Sequence, residues 1–360
     1  MVNDQKIVKE KGNKIGLPYT CRFSFYGLGI EVNCQDEETL RDIKRDYSFF
    51  LNDRVLVHTS FQILNEAPDY TKFSSLKAYL YTSQNICYRD KDLTFVDYFG
   101  RGLAVIDQHN NAFKVFCQEP HLRHEIVYLY ILALVGKNLG LRNLHRVHGL
   151  GLEVNGKAIL ILLPSGGGKT TLLLELIKNE SIKMISEDSP LIDAAGRVLP
   201  FPIRIGVLPE EKPKDIPDEY LHLVERMGFR PKYMIDIDAL KDKISKKPLP
   251  VQYIFCGVRC LSDKTSIKPI SRYSAFKQLV ENCVFGVGLY EGAEFLIQRG
   301  FWGFVKKSPV LFSRLNNSFK AVSQSKTYSF SIGYDRKNNV DTFLNFLREN
   351  IKQRSKLDIL

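Results

Sequence analysis

No stretch of about 18 or more consecutive apolar residues occurs in this chain, so a membrane-spanning helix is not expected. The longest apolar run, Ile126 to Val135, sits between Glu125 and Gly136-Lys137 and suits a buried helix. The opening stretch, MVNDQKIVKEKGNK, has no apolar core, which argues against a secretory signal. The seven cysteines are odd in number and include no CxxC unit, which excludes a disulfide scaffold and a zinc ribbon. Cys256 and Cys260, the closest pair, read as packing residues, and the compartment implied is reducing: the cytoplasm. No helix-turn-helix spacing, zinc-finger spacing or RNP-like aromatic motif is present, so nucleic acid is not the expected partner.

What is present is ordinary for a globular protein: 360 residues, 44% hydrophobic and 25% charged. At about 100–200 residues per domain, two domains are expected, with three as the alternative. The net charge of +11 favours an acidic partner, either an acidic protein or peptide or a phosphorylated ligand. The densest basic stretches, Lys241 to Lys247 and Arg348 to Lys356, are interleaved with Asp242 and Glu349 and read as solvated surface.

Residues 1–145 read as an N-terminal α+β domain. Arg22 to Val32 alternates around a glycine turn, and Asp36 to Phe50 carries a helical apolar spacing with acidic residues in its first turn. Strand-like runs follow at Val55 to Ile63, Leu76 to Thr82, Leu93 to Phe99, Leu103 to Asp107 and Ala112 to Cys117. A helix is expected from Pro120 to Leu139, ending at Gly140. Residues 146–360 form the second expected domain, with helical C-terminal elements. It opens with two apolar runs around Asn155-Gly156, a strong hairpin signal. Thr171 to Lys178, Ser274 to Asn282 and Val340 to Ile351 read as helices; VQYIFCGVRCL and Thr327 to Tyr334 read as strands, and LPFPIRIGVLP as a proline-marked one.

The strongest chemical signal is KAILILLPSGGGKTTLLLEL, residues 157–176. An apolar strand runs into glycines, then Lys169, Thr170 and an apolar helix. Glycines let backbone N–H groups approach phosphate oxygens, the helix start adds positive dipole, a lysine adds a full charge, and a threonine hydroxyl can bind Mg²⁺. The expected nucleotide-binding residues are Ser165, Gly166, Gly167, Gly168, Lys169, Thr170 and Thr171, with ATP and Mg²⁺ as cofactors. The pattern departs from GxxxxGK[ST] at its first glycine, where Leu163 stands.

There is no LSGGQ-like signature and no apolar strand ending in Asp-Glu, which argues against an ABC-type ATPase. Asp193-Ala194-Ala195-Gly196 matches DxxG, but no NKxD follows, so it reads as a turn rather than a GTPase motif. Upstream of the loop lies RVHGLGLEVNGKAILIL, with His148-Gly149 opening the hairpin. Downstream lies KMISEDSPLID, placing Glu187 and Asp188 18 and 19 residues after Lys169. This arrangement over residues 146–207 resembles the HPr kinase/phosphorylase family, and more closely its shorter relatives, the HPr-kinase-like serine kinases.

The resemblance implies an α/β fold in which an HPr kinase/phosphoenolpyruvate carboxykinase-like P-loop domain follows the N-terminal domain. It also implies roles: Asp188 as the base that takes the proton from the acceptor hydroxyl, Glu187 with Thr170 near Mg²⁺, and His148 and Lys169 close to the phosphates. Arg204, in FPIRIGV, and Arg272, in KPISR, match the family's later arginine signatures only in part. Pro202 stands where the phosphocarrier-specific enzymes carry Glu, which points away from HPr itself and from phosphorolysis. The function implied is ATP-dependent phosphorylation of a hydroxyl, most simply serine in an acidic protein or precursor peptide. The alternatives are a non-catalytic nucleotide-binding partner, a kinase of free serine or another small metabolite, and a carboxykinase-like enzyme. A homo-oligomer is compatible with all of them.

Overall fold

The computed structural model describes residues 16–73, 75–164, 166–226, 229–285 and 300–351. These build a mixed α/β protein with three sheets. Two compact units are present: residues up to Val135 with Gly206–Ala239, and Gly136–Ile205 with residues from Leu240 onward. This division and the expected boundary at 145/146 differ by the segment Gly206–Ala239 and by the last turns of one helix. Among the described residues, no helix is long and apolar enough to cross a membrane.

In the first unit, β1 (Tyr19–Phe25) and β2 (Leu28–Cys34) form a hairpin whose alternation buries Phe23, Phe25, Ile30 and Val32. α1 (Glu37–Asp46) starts where the Asp36 carboxylate accepts the Thr39 N–H at 2.8 Å. It is shorter than the expected helix, because residues 48–50 tighten into a separate 3₁₀ turn. β3 (Thr59–Leu64), β4 (Ala78–Tyr81), β5 (Ile86–Asp90), β6 (Leu93–Asp97), β7 (Gly102–Asp107) and β8 (Ala112–Cys117) complete an eight-stranded sheet. Its order is β1-β2-β3-β8-β7-β6-β5-β4, with β3 parallel to both neighbours and the rest antiparallel. α2 (Pro120–Leu141) follows. Its Arg123 is fully buried, and the guanidinium donates to Thr39 Oγ1, Asn65 Oδ1, Cys117 O and Asp36 Oδ2 at 2.8–3.0 Å, so the buried charge is fully hydrogen-bonded.

The second unit contains β9 (His145–Arg146), β10 (Leu150–Val154), β11 (Lys157–Leu162), α3 (Lys169–Leu176), β12 (Ile182–Ser186), β13 (Leu191–Ile192) and β14 (Arg197–Leu199). The β10–β11 hairpin turns at Asn155-Gly156, both left-handed, as the sequence predicts. The expected strand LPFPIRIGVLP is broken: β14 ends at Leu199, and β15 (Ile205–Val207) begins past Pro200 and Pro202, which have no N–H for a ladder. From Gly206 to Ala239 the chain belongs to the first unit, and there β15 joins β16 (Leu221–Arg226) and β17 (Phe229–Ile235) in a small sheet of order β15-β17-β16. β18 (Leu249–Arg259), β19 (Ser266–Pro269), α4 (Arg272–Val280), α5 (Gly300–Ser323), β20 (Lys326–Ile332) and α6 (Arg336–Asn350) complete the second unit.

Its sheet is centred on β11, β18 and β20, which run parallel. Ala158 to Leu162 are all fully buried, as an unbroken apolar run requires when both faces of a strand are covered. Leu160, Leu162, Ile254 and Cys256 pack with Ala275, Leu279 and Ala321 into one core cluster. All seven cysteines are free thiols. Asp193-Ala194-Ala195-Gly196 is a turn: the Asp193 carboxylate accepts from the backbone N–H groups of Ala195 and Arg197, each at 2.9 Å.

Candidate functional site

β11 ends at Leu162, and the chain must then turn sharply to start α3 at Lys169. Gly166 and Gly168 make the turn with φ of 72° and 91°, a left-handed backbone that a β-carbon disfavours. The Gly167 N–H closes it on Pro164 O at 3.0 Å. Ser165 lies outside the described residues. Thr171 is half-buried in the first turn of α3.

Lys169 is only 5% exposed, and its ammonium is drawn back over its own loop. It donates to Leu163 O at 2.8 Å, to Pro164 O at 3.2 Å and to His148 Nε2 at 2.9 Å, and it lies 3.4 Å from Asp188 Oδ1. His148 Nδ1 is 3.2 Å from the same carboxylate oxygen. The partners assign the tautomer: Nε2 accepts from the ammonium, and Nδ1 carries the proton toward Asp188. Burial pushes the His148 pKa below its usual value; Lys169 pushes the same way, against Asp188. A neutral imidazole therefore links the lysine to the aspartate.

Pairing of β12 with β10 brings these residues together. β12 is antiparallel to β10, so its end meets the entry of β10, where His148-Gly149 lies. Gly149 N–H reaches toward Asp188 O at 3.5 Å, and Val147 N–H donates to Pro190 O at 2.9 Å. Ser186, fully buried, braces the turn: its hydroxyl donates to Phe201 O at 2.8 Å and accepts the Ser189 N–H at 3.2 Å. Glu187 and Asp188 then project from one short turn to different partners. Thr170 Oγ1 donates to Glu187 Oε1 at 2.5 Å, whereas Asp188 faces His148 and Lys169 and keeps its side chain 45% exposed.

Lys169, His148 and Asp188 are thus brought together, with Thr170 and Glu187 in contact with each other where α3 begins. Arg204 lies in the irregular stretch between β14 and β15, and Arg272 is an exposed first residue of α4. The contacts joining Lys169, His148 and Asp188 include neither arginine. His109 and His121 are exposed, whereas His145 is a buried strand residue whose Nε2 pairs with Ser313 Oγ at 2.7 Å.

Two residues near the loop escape a sequence reading. Leu163 is fully buried, and a β-carbon on Gly257 of β18 would sit 2.3 Å from its Cδ2. The leucine that replaces the motif's first glycine is accommodated because the neighbouring strand supplies a glycine instead. Two residues on, Arg259 stands at the carboxyl end of β18, exposed, its Nη1 donating to Gly333 O at 3.0 Å. The motif FCGVRC draws the eye to its cysteines, yet Gly257 and Arg259 are what it places beside the loop.

Chemically, the arrangement offers a buried ammonium and a helix start for an anion, a hydroxyl and a carboxylate in contact, and a second, accessible carboxylate. Among the described residues no group of three or more His, Cys, Asp or Glu side chains is placed to hold a metal. The Thr170–Glu187 pair is two hard oxygens, which fits Mg²⁺, an ion usually held by one or two protein oxygens plus phosphate and water. No protein-family model and no curated protein matches the chain.

Proposed function

We propose that this chain is an ATP- and Mg²⁺-dependent kinase that phosphorylates a hydroxyl, serine in an acidic protein or peptide. The observation that carries this reading is the convergence of Lys169, His148 and Asp188 in one hydrogen-bonded chain, beside the Thr170–Glu187 contact, at the end of β11. In this reading the strand–glycine turn–helix is a phosphate loop, and the second unit is a P-loop kinase domain of the HPr kinase/phosphoenolpyruvate carboxykinase-like kind, working in the cytoplasm.

Loop N–H groups and Lys169 hold the triphosphate; the ammonium exchanges Leu163 O, Pro164 O and His148 for phosphate oxygens. Thr170 and Glu187 would hold Mg²⁺, which neutralises charge on the β- and γ-phosphates. Asp188 takes the proton of the acceptor hydroxyl as that oxygen bonds to the γ-phosphorus. The bond from the γ-phosphorus to the β–γ bridging oxygen breaks, and ADP leaves with the electron pair. The neutral His148, donating through Nδ1, orients the Asp188 carboxylate while its exposed side leaves room for a macromolecular acceptor. Such transfer rests mainly on positioning and charge neutralisation.

The test is incubation with ATP labelled in its γ-phosphate, Mg²⁺ and serine-containing acidic peptides, read by mass spectrometry. Label on a serine hydroxyl is expected. Nucleotide binding without transfer to any acceptor, free serine included, would support the non-catalytic alternative instead.

A further inference from the structure

Resting on the kinase reading above, we propose that Arg259 is a second cation of the phosphate site, contacting the terminal phosphate of the nucleotide. β18 runs parallel to β11, so both strands deliver their carboxyl ends to the same edge of the sheet. β11 leads into the glycine turn, and β18 ends in Arg259. A methyl group on Gly168, the residue preceding Lys169, would lie 3.8 Å from Arg259 Nη1. The guanidinium therefore lies on the side of the turn toward which a Gly168 side chain would point.

Its setting is that of an anion-binding group. Among the described residues no carboxylate forms an ion pair with Arg259, whose guanidinium donates to a backbone carbonyl instead. Nη1 donates to the carbonyl of Gly333, which steers the head group, and a guanidinium has five N–H donors in a fixed fork. The donors not committed to Gly333 match two oxygens of a phosphate at once. Gly333 is itself held: its N–H donates to Asn339 Oδ1 and its carbonyl also accepts from Asn339 Nδ2, both at 3.0 Å. Asn339 is buried in α6, so the carbonyl that positions Arg259 belongs to a braced turn.

During transfer, charge shifts onto the equatorial oxygens of the migrating phosphoryl group and onto the departing bridging oxygen. Arg259, near Gly168, and Lys169, on the carbonyls of Leu163 and Pro164, together counter that charge. Arginines in this role contribute about 10³–10⁵-fold to phosphoryl-transfer rates in other enzymes.

The experiment uses the full chain with three variants: Arg259→Ala, Arg259→Gln and Arg259→Lys. Gln keeps a polar side chain with a neutral N–H donor and removes the charge, whereas Lys keeps the charge without the planar fork. Calorimetry gives affinities for Mg-ATP and Mg-ADP, and single-turnover transfer gives the rate. Arg259→Gln should lower transfer by at least about 10²-fold and reduce the preference for ATP over ADP by about tenfold, with Arg259→Lys partly restoring both. Unchanged rate and unchanged ATP/ADP preference in the folded Gln variant would overturn the proposal while leaving the kinase reading intact. Failure of the wild-type chain to bind Mg-ATP at all would instead remove the kinase reading and the Arg259 proposal with it.

Discussion

Replacing Gly257 by alanine tests whether the leucine in the glycine turn is tolerated for the reason given. The new β-carbon would lie 2.3 Å from Leu163 Cδ2, 2.6 Å from Leu163 Cγ and 2.9 Å from Leu162 O. Carbon atoms in good contact are about 3.5–4.0 Å apart, so the leucine must move by roughly an ångström or more. Leu163 is fully buried and cannot swing into solvent. Overpacking of this kind costs about 1–3 kcal/mol. Leu163→Ala alone removes a buried side chain and should cost about 2–5 kcal/mol. In the double variant the alanine at 257 enters space the leucine has left, so the two losses should fall short of their sum by about 1–3 kcal/mol. Urea denaturation of the four proteins supplies the cycle. The same series should show weaker Mg-ATP binding in Gly257→Ala, because displacing Leu163 shifts the start of the turn whose N–H groups would receive the phosphates. Additivity within about 0.5 kcal/mol would refute the reasoning, since it would mean the two side chains do not share the space.

Asp188→Asn should keep Mg-ATP affinity within a few fold while transfer falls at least about 10²-fold, whereas Glu187→Gln should lose affinity and recover in part at raised Mg²⁺. Calorimetry paired with a transfer assay separates the two. Burial, with Arg314 nearby, pushes His145 down to about 4. Above about pH 6.5 both folded and unfolded chains are neutral there; as pH falls toward 4 only the unfolded chain takes the proton, so this group should remove about 3 kcal/mol of stability over that window. Asp236 acts in the opposite sense: burial raises it to about 6, against Arg45, so the folded chain holds the proton between about 3.8 and 6 and stability falls as pH rises through that range. Asp236→Asn should therefore be more favourable relative to wild type at pH 7 than at pH 4, by up to about 3 kcal/mol, read from melts at both pH values.

Much of the fold follows from local patterns. Alternation marks β1 and β2, the Asn155-Gly156 pair marks the β10–β11 hairpin, and an unbroken apolar run marks β11 as a strand covered on both sides. The grouping of Lys169, His148 and the acidic pair was readable because each lies near an end of a recognisable strand. What escaped depended on partners distant in sequence. α5 and the β16–β17 hairpin carry no clear local signal; in LHLVERMGFRPKYMI charged and aromatic residues blur the alternation. Pro200 and Pro202 stand within an apolar stretch that predicts one strand, whereas in the fold they interrupt it. Leu163 looked like a departure from the motif because its compensation, Gly257, lies 94 positions further along the chain and meets it only through the parallel pairing of β11 with β18. Arg259 was hidden for the same reason.

The measurement that bears most directly on the account is calorimetric titration of Mg-ATP into the wild-type chain and into Lys169→Ala. Lys169 brings a charge-assisted contact of about 1.5–3 kcal/mol to phosphate. A single binding event is expected in the wild type and about a tenfold or greater loss of affinity in the variant, with thermal melting showing that the variant is folded. Equal affinity in the two folded proteins, or no binding by the wild type, would contradict it.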